Sequence, residues 1–131
     1  MVRIALSVIA GVVVWIVVVT VIDRTMRNFW PDYAHVFEAM AFTLPMMLAR
    51  LAESTVALIV ASLVTVRVAK GQRPAPWALG ILMFAFFAPY HYTLWPKFPI
   101  WYHAYFLLSL IAVPVLVAGG MRVSQPTGPQ H

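Results

Sequence analysis

The sequence predicts an all-α integral membrane protein: a four-helix bundle with a short outer interfacial helix before the second span. Three observations predict it. Hydrophobic residues make up 63% of the 131 and charged residues 10%, whereas a soluble domain carries about 25% charged residues. The apolar residues gather into four runs close to the roughly 20 residues that a helix needs to cross the hydrocarbon core. Most prolines, glycines, Lys and Arg residues lie between those runs or at their ends.

The first run, 4–22, is rich in Val and closes at Asp23-Arg24. Arg3 ahead of it resembles the charged start of a signal peptide, but the run exceeds the usual h-region of about 7–15 residues. No Ala-x-Ala pattern precedes Asp23, so a retained signal anchor is expected.

The next segment is too long for a simple turn. Trp30-Pro31-Asp32 carries helix-start signals, with Pro near the first position and an acid in the first turn. Tyr33, Phe37, Met40 and Leu44 then recur at helical spacing. An unbroken helix from Ala34 to Val66 would be about 50 Å long, beyond the ~30 Å core. Pro45 also disfavours helical geometry at Leu44. The expectation is an interfacial helix that bends near Pro45 into the second span, with Phe29, Trp30 and Tyr33 in the headgroup layer.

The second span is predicted over 43–66, closing at Arg67. Within it Ala49, Glu53, Ala57, Ala61 and Thr65 recur every four residues, a stripe of mostly small side chains that lets a neighbour approach closely. Ser7 and Gly11 on the first span form a matching pair. The third span, 76–94, follows Pro74 and Pro76; the fourth, 101–119, follows a tight turn set by Pro96 and Pro99. Residues 1–123 make one transmembrane domain. The tail 124–131, with two Pro, one Gly and no apolar run, is expected to be disordered.

Orientation follows from Lys and Arg placement. With the N-terminus inside, Arg3, Arg67, Lys70, Arg73 and Arg122 fall inside, and Arg24, Arg27 and Lys97 outside. The acids Asp23, Asp32 and Glu38 also fall outside. Both termini are therefore expected in the cytoplasm, across a bacterial inner membrane.

Composition closes off several chemistries. With no cysteine, thiol catalysis and Cys-ligated metals are excluded. The formal charge of +5 is spread over the ends of apolar runs, which fits anionic lipid heads rather than nucleic acid. No nucleophile elbow, triad or metal spacing accompanies the His and acidic residues, so no catalytic residues, metal or cofactor are expected.

Arg50 and Glu53 stand out instead. A charge at the centre of a span costs roughly 2.5–3.5 kcal/mol, so such residues face protein or a wet cavity and seek a partner. At i,i+3 they lie on neighbouring parts of one helix surface, and an ion pair between them is expected. The third span ends outward with Tyr90, His91 and Tyr92, and the fourth begins there with His103 and Tyr105. Arg50, Glu53, Tyr90, His91, Tyr92, His103 and Tyr105 are thus the candidate ligand-binding or coupling residues of an outer polar and aromatic pocket. A kink at Pro89 would open a crevice beside it.

Two functional readings follow. One is a non-catalytic accessory subunit, or a homo-oligomer, that binds a lipid or quinone-like ligand in that pocket, with the bilayer and a larger membrane complex as partners. The other is a small oligomeric transporter or channel using Glu53 for proton or cation coupling.

Overall fold

The computed structural model describes residues 2–37, 39 and 41–124, with side chains through Met121. Met1, Glu38, Met40 and the tail beyond Ser124, with the disorder expected of that tail, lie outside the described residues. Five helices follow in order: α1 Val2–Phe29, α2 Pro31–Val36, α3 Leu44–Val68, α4 Pro74–Thr93 and α5 Ile100–Ser124. A single 3-10 turn, Trp95–Lys97, joins α4 to α5. The described chain is all-helical.

Three helices are long and apolar enough to cross a membrane: Val2–Phe29, Leu44–Val68 and Ile100–Met121, with mean hydropathies of 2.9, 1.7 and 2.1. Their outward faces suit that solvent. Leu6, Ile9, Val13 and Val17 on α1, and Leu108 and Leu116 on α5, are all more than half exposed. α4 is as long as a span, but its Pro, Tyr, His and Trp residues lower its hydropathy.

α1 and α3 run antiparallel along the expected small-residue stripe. Thr65 donates to the Ser7 carbonyl at 3.2 Å, and Arg3 reaches the Val68 carbonyl at 3.4 Å. A Cβ added at Gly11 would collide with the Thr65 hydroxyl and stand 3.3 Å from the Ala61 carbonyl. Only glycine permits this approach. α4 and α5 make a second antiparallel pair on the same device: a Cβ at Gly80 would lie 2.9 Å from both the Ile111 Cα and the Leu110 carbonyl. α5 also packs on α3, joining the two pairs into one bundle.

Two local expectations are corrected. The helix that begins at Pro31 stops at Val36 rather than bending into the second span. α3 starts afresh at Leu44 after the extended Thr43, with Pro45 in its first turn, where a missing N–H is no loss. Proline therefore opens this helix and does not kink it. Tyr33, expected among lipid headgroups, is fully buried at 0% exposure. It stacks on Trp30 and Phe42 with ring centroids 5.7 and 5.2 Å apart.

Arg3, Arg67 and Lys70 gather at the end of the bundle where α1 starts and α3 stops. The other end holds the last turns of α1 and α4, the first turns of α3 and α5, and α2. The polar residues collect there.

Candidate functional site

Arg50 sits in the second turn of α3, level with the end of α1. Its guanidinium donates from Nη1 to the Tyr33 hydroxyl at 2.8 Å and from Nε to the Tyr102 hydroxyl at 3.3 Å. It also lies over the Phe42 ring at 4.6 Å, an arrangement in which the ring's negative face meets the cation. Tyr33 in turn donates to the Asp23 carboxylate at 3.0 Å, and Asp23 pairs with Arg27 at 3.0 Å. The chain Arg27, Asp23, Tyr33, Arg50, Tyr102 thus ties α1, α2, α3 and α5 together. Burial pushes the Tyr33 phenol up to about 12, against the pull of the adjacent Arg50, which favours the phenolate.

The expected Arg50–Glu53 ion pair is not formed. Arg50 turns to the two tyrosines, because phenolic oxygens from α2 and α5 accept its protons without the like burial of a second charge. Glu53 is 7% exposed, and among the described residues no hydrogen bond or ion pair reaches its carboxylate. Glu53 stands about 14 Å along α3 from its start, facing a cavity.

That cavity has a volume of about 370 Å³ and is walled by all four long helices. α1 contributes Trp15, Val19, Asp23 and Arg27; α3 contributes Arg50, Glu53 and Ser54. α4 supplies Phe87, Tyr90 and His91, and α5 supplies Tyr102 and Phe106. Trp15 and Phe87 meet with centroids 5.1 Å apart, and Phe87 meets Phe106 at 5.4 Å. These rings form the deep end. Of the cavity's lining residues, Trp15 and Ser54 have a polar atom, Nε1 and Oγ, that is buried in the packing without a hydrogen-bond partner.

His91 and His103 are joined across the Pro96–Pro99 turn. Their Nδ1 atoms lie 2.7 Å apart, so one ring donates to the other. Both are buried, at 4% and 1% exposure. His103 stacks on Trp95, with centroids 4.6 Å apart and ring planes 10° from parallel. Its Nε2 has no partner. His91 reaches the cavity; His103 supports it from behind.

Of the expected site residues, Arg50, Glu53, Tyr90 and His91 line the cavity, with His103 one ring further out. Tyr92 and Tyr105 do not join them. Tyr92 is 80% exposed, and the Tyr105 hydroxyl sits on the outer side against Thr55 at 3.0 Å. Helix phase explains both: Tyr92 is one residue beyond the buried His91 and Tyr105 two beyond the buried His103, so each points away from its histidine. The sequence reading missed Trp15, Asp23, Arg27, Ser54 and Tyr102 as cavity residues. A signal existed for one: Ser54 directly follows Glu53 on the inward side of α3.

Comparison of the chain with protein-family models, curated proteins and solved structures finds no match. The site's own chemistry therefore carries the functional reading.

Proposed function

We propose that this protein is a small four-span membrane protein that holds one amphipathic ligand, lipid-like or quinone-like, as a non-catalytic accessory subunit. The observation that carries the reading is the cavity of about 370 Å³ that combines aromatic walls with Arg50 and Glu53. Ligand sites are concave, largely apolar and equipped with a few convergent polar groups, at volumes of about 300–1,000 Å³. In this reading α4 also crosses the membrane, as the third of the four spans: no Asp, Glu, Lys or Arg occurs between Pro74 and Thr93. α2 lies at the outer interface, and both termini are in the cytoplasm of a bacterial cell. The chain has no cysteine, so single-cysteine variants at Lys70 and Lys97 test that orientation by labelling from either side.

The ligand itself is tested by native mass spectrometry of protein released directly from membranes. The expected result is a bound small molecule on the wild type and its loss from Ser54→Phe, which fills the cavity. Bare chains in both samples would end the reading. A partner subunit retained in mild detergent would support the accessory role.

A second reading, a small oligomeric transporter, is favoured by one observation: Glu53 faces the cavity without a protein partner among the described residues. It requires pH-dependent flux in proteoliposomes that Glu53→Gln abolishes while the helical signal is retained.

A further inference from the structure

The cavity carries more arginines than acids, and Arg50 lacks a counter-ion. This step rests on the ligand-binding reading and names the class of ligand. Arg24, Arg27 and Arg50 line the cavity together with two acids, Asp23 and Glu53. Asp23 is already shared: it pairs with Arg27 at 3.0 Å and accepts from Tyr33 at 3.0 Å. Arg50 is held by the hydroxyls of Tyr33 and Tyr102, which accept its protons without opposing its charge. No carboxylate stands within ion-pair distance of it among the described residues. Arg24 is exposed, and among the described residues no hydrogen bond or ion pair reaches it. These cations converge. Arg24 and Arg27 lie three apart on one face of α1, and the Cζ atoms of Arg27 and Arg50 stand 4.5 and 6.0 Å from the centroid of the same Phe37 ring.

A cation set among apolar helices seeks an opposite charge, and guanidinium groups take carboxylate and phosphate oxygens through paired N–H donors. Glu53 does not reverse this preference. It lies three residues deeper on α3 than Arg50, so an anion entering from the end of the bundle that holds α2 meets the arginines first. Ionised, Glu53 leaves the arginines in the majority; protonated, it donates to an oxygen of the incoming group. Beyond the arginines the walls turn apolar. Trp15 lies roughly 13 Å along α1 from Arg24, and Phe87 and Phe106 close around it. A volume of about 370 Å³ is near the low end for ligand sites, which suits one slender chain rather than two. We infer that the cavity takes a single-chain amphiphile with an oxyanion head, a carboxylate or a phosphate monoester, its head on Arg24, Arg27 and Arg50 and its chain among Trp15, Phe87 and Phe106.

The test compares four probes on one chain length: decanoate, decyl phosphate, decanol and decylamine. Each, radiolabelled, is titrated against the full chain in phosphatidylcholine nanodiscs at mildly alkaline pH, where decanoate is ionised, with empty nanodiscs subtracted. Both anions are expected to bind about tenfold tighter than decanol, the scale of one hydrogen bond to a charged group, and decylamine more weakly than decanol. Whichever anion binds tighter names the head group. Anion affinity should fall about tenfold in Arg50→Gln and about threefold in Arg24→Gln, whose exposed side chain is screened by water; decanol should be unaffected in both. Arg67→Gln removes the same charge at the opposite end of the bundle and should change nothing, which separates a site from the chain's net charge of +5. Should Arg50→Gln fail to fold by circular dichroism, Arg24→Gln carries the comparison. Excess inorganic phosphate is expected not to displace decanoate. Equal affinities for anions and decanol, tighter binding of decylamine, losses in Arg67→Gln that match those in Arg24→Gln, or full displacement by inorganic phosphate would overturn the inference while leaving a ligand site in place. Absence of saturable binding by every probe to folded protein would remove the inference, whereas bare chains in the native mass spectrum would remove the reading beneath it.

Discussion

The guanidinium of Arg50 donates to the hydroxyl of Tyr33 at 2.8 Å. That single bond redirects the energetics of the charged residues in α3. Arg50 becomes a structural tie between helices, and Glu53 is left free to face the cavity. Arg50→Leu should then lower stability by about 2–4 kcal/mol, since it deletes charge-assisted hydrogen bonds and orphans two buried phenols. Glu53→Gln should change it by less than about 1 kcal/mol, because no protein partner is lost. Thermal unfolding in detergent measures both. Comparable losses in the two variants would show that the carboxylate has a partner after all.

Tyr33→Phe keeps the ring stacked against Phe42 but removes the oxygen shared by Arg50 and Asp23. The expected loss is about 1–3 kcal/mol. A spectroscopic titration gives an independent check. Burial holds this phenol up at about 12, whereas an unfolded tyrosine ionises near pH 10. Between those values the unfolded chain has released a proton that the folded chain still binds, so stability falls as pH rises through that window. Among the five tyrosines, Tyr33→Phe should remove one tyrosine's share of the late-ionising absorbance.

The two histidines should behave as a unit. His91→Phe and His103→Phe each leave a buried ring nitrogen without its partner, at about 1–3 kcal/mol. The double variant should cost less than the sum, as expected of residues in direct contact. Strict additivity in a double-mutant cycle would show that the 2.7 Å contact contributes nothing.

The two glycine contacts differ in what they press against. At Gly80 a methyl group meets the backbone of Ile111 and Leu110, which cannot rotate away. At Gly11 its main obstacle is the Thr65 side chain. Both Gly→Ala variants should destabilise, by about 1–3 kcal/mol for overpacking, with Gly80→Ala the more damaging. Pairing Gly11→Ala with Thr65→Ala should recover part of the loss; Gly80→Ala has no such rescue. Melting temperatures of the three variants decide it.

The long helices were legible because their signal is local. Apolar runs bounded by Arg, Pro and Gly place α1, α3, α4 and α5 to within a few residues at most ends, although α1 extends to Phe29 and so carries Asp23 and Arg27 into the helix. The contact of Ser7 and Gly11 with Ala61 and Thr65 was legible for the same reason: small residues at four-residue spacing announce a packed face. His91 and His103 come together because Pro96 and Pro99 fold α4 back on α5. Partner choice was not legible. Sequence spacing proposes neighbours on one helix, such as Arg50 and Glu53, but the oxygens that Arg50 takes come from Tyr33 and Tyr102 on other helices. Tyr33 misleads for a related reason. An aromatic residue beside a membrane-facing run ordinarily sits at the lipid surface, and only the arrival of Arg50 and Phe42 around it turns it inward.

The short bridge between the two imidazoles carries information as well as stability. With both rings neutral, a single proton lies between the facing nitrogens, so the outer nitrogens are never alike: when that of His91 is protonated, that of His103 is bare, and the reverse. A guest that demands a donor from His91 therefore fixes the tautomer of a ring it never touches. Stacked on Trp95, His103 would register such occupancy in its own NMR signals, a reporter of the guest on the far side of the wall.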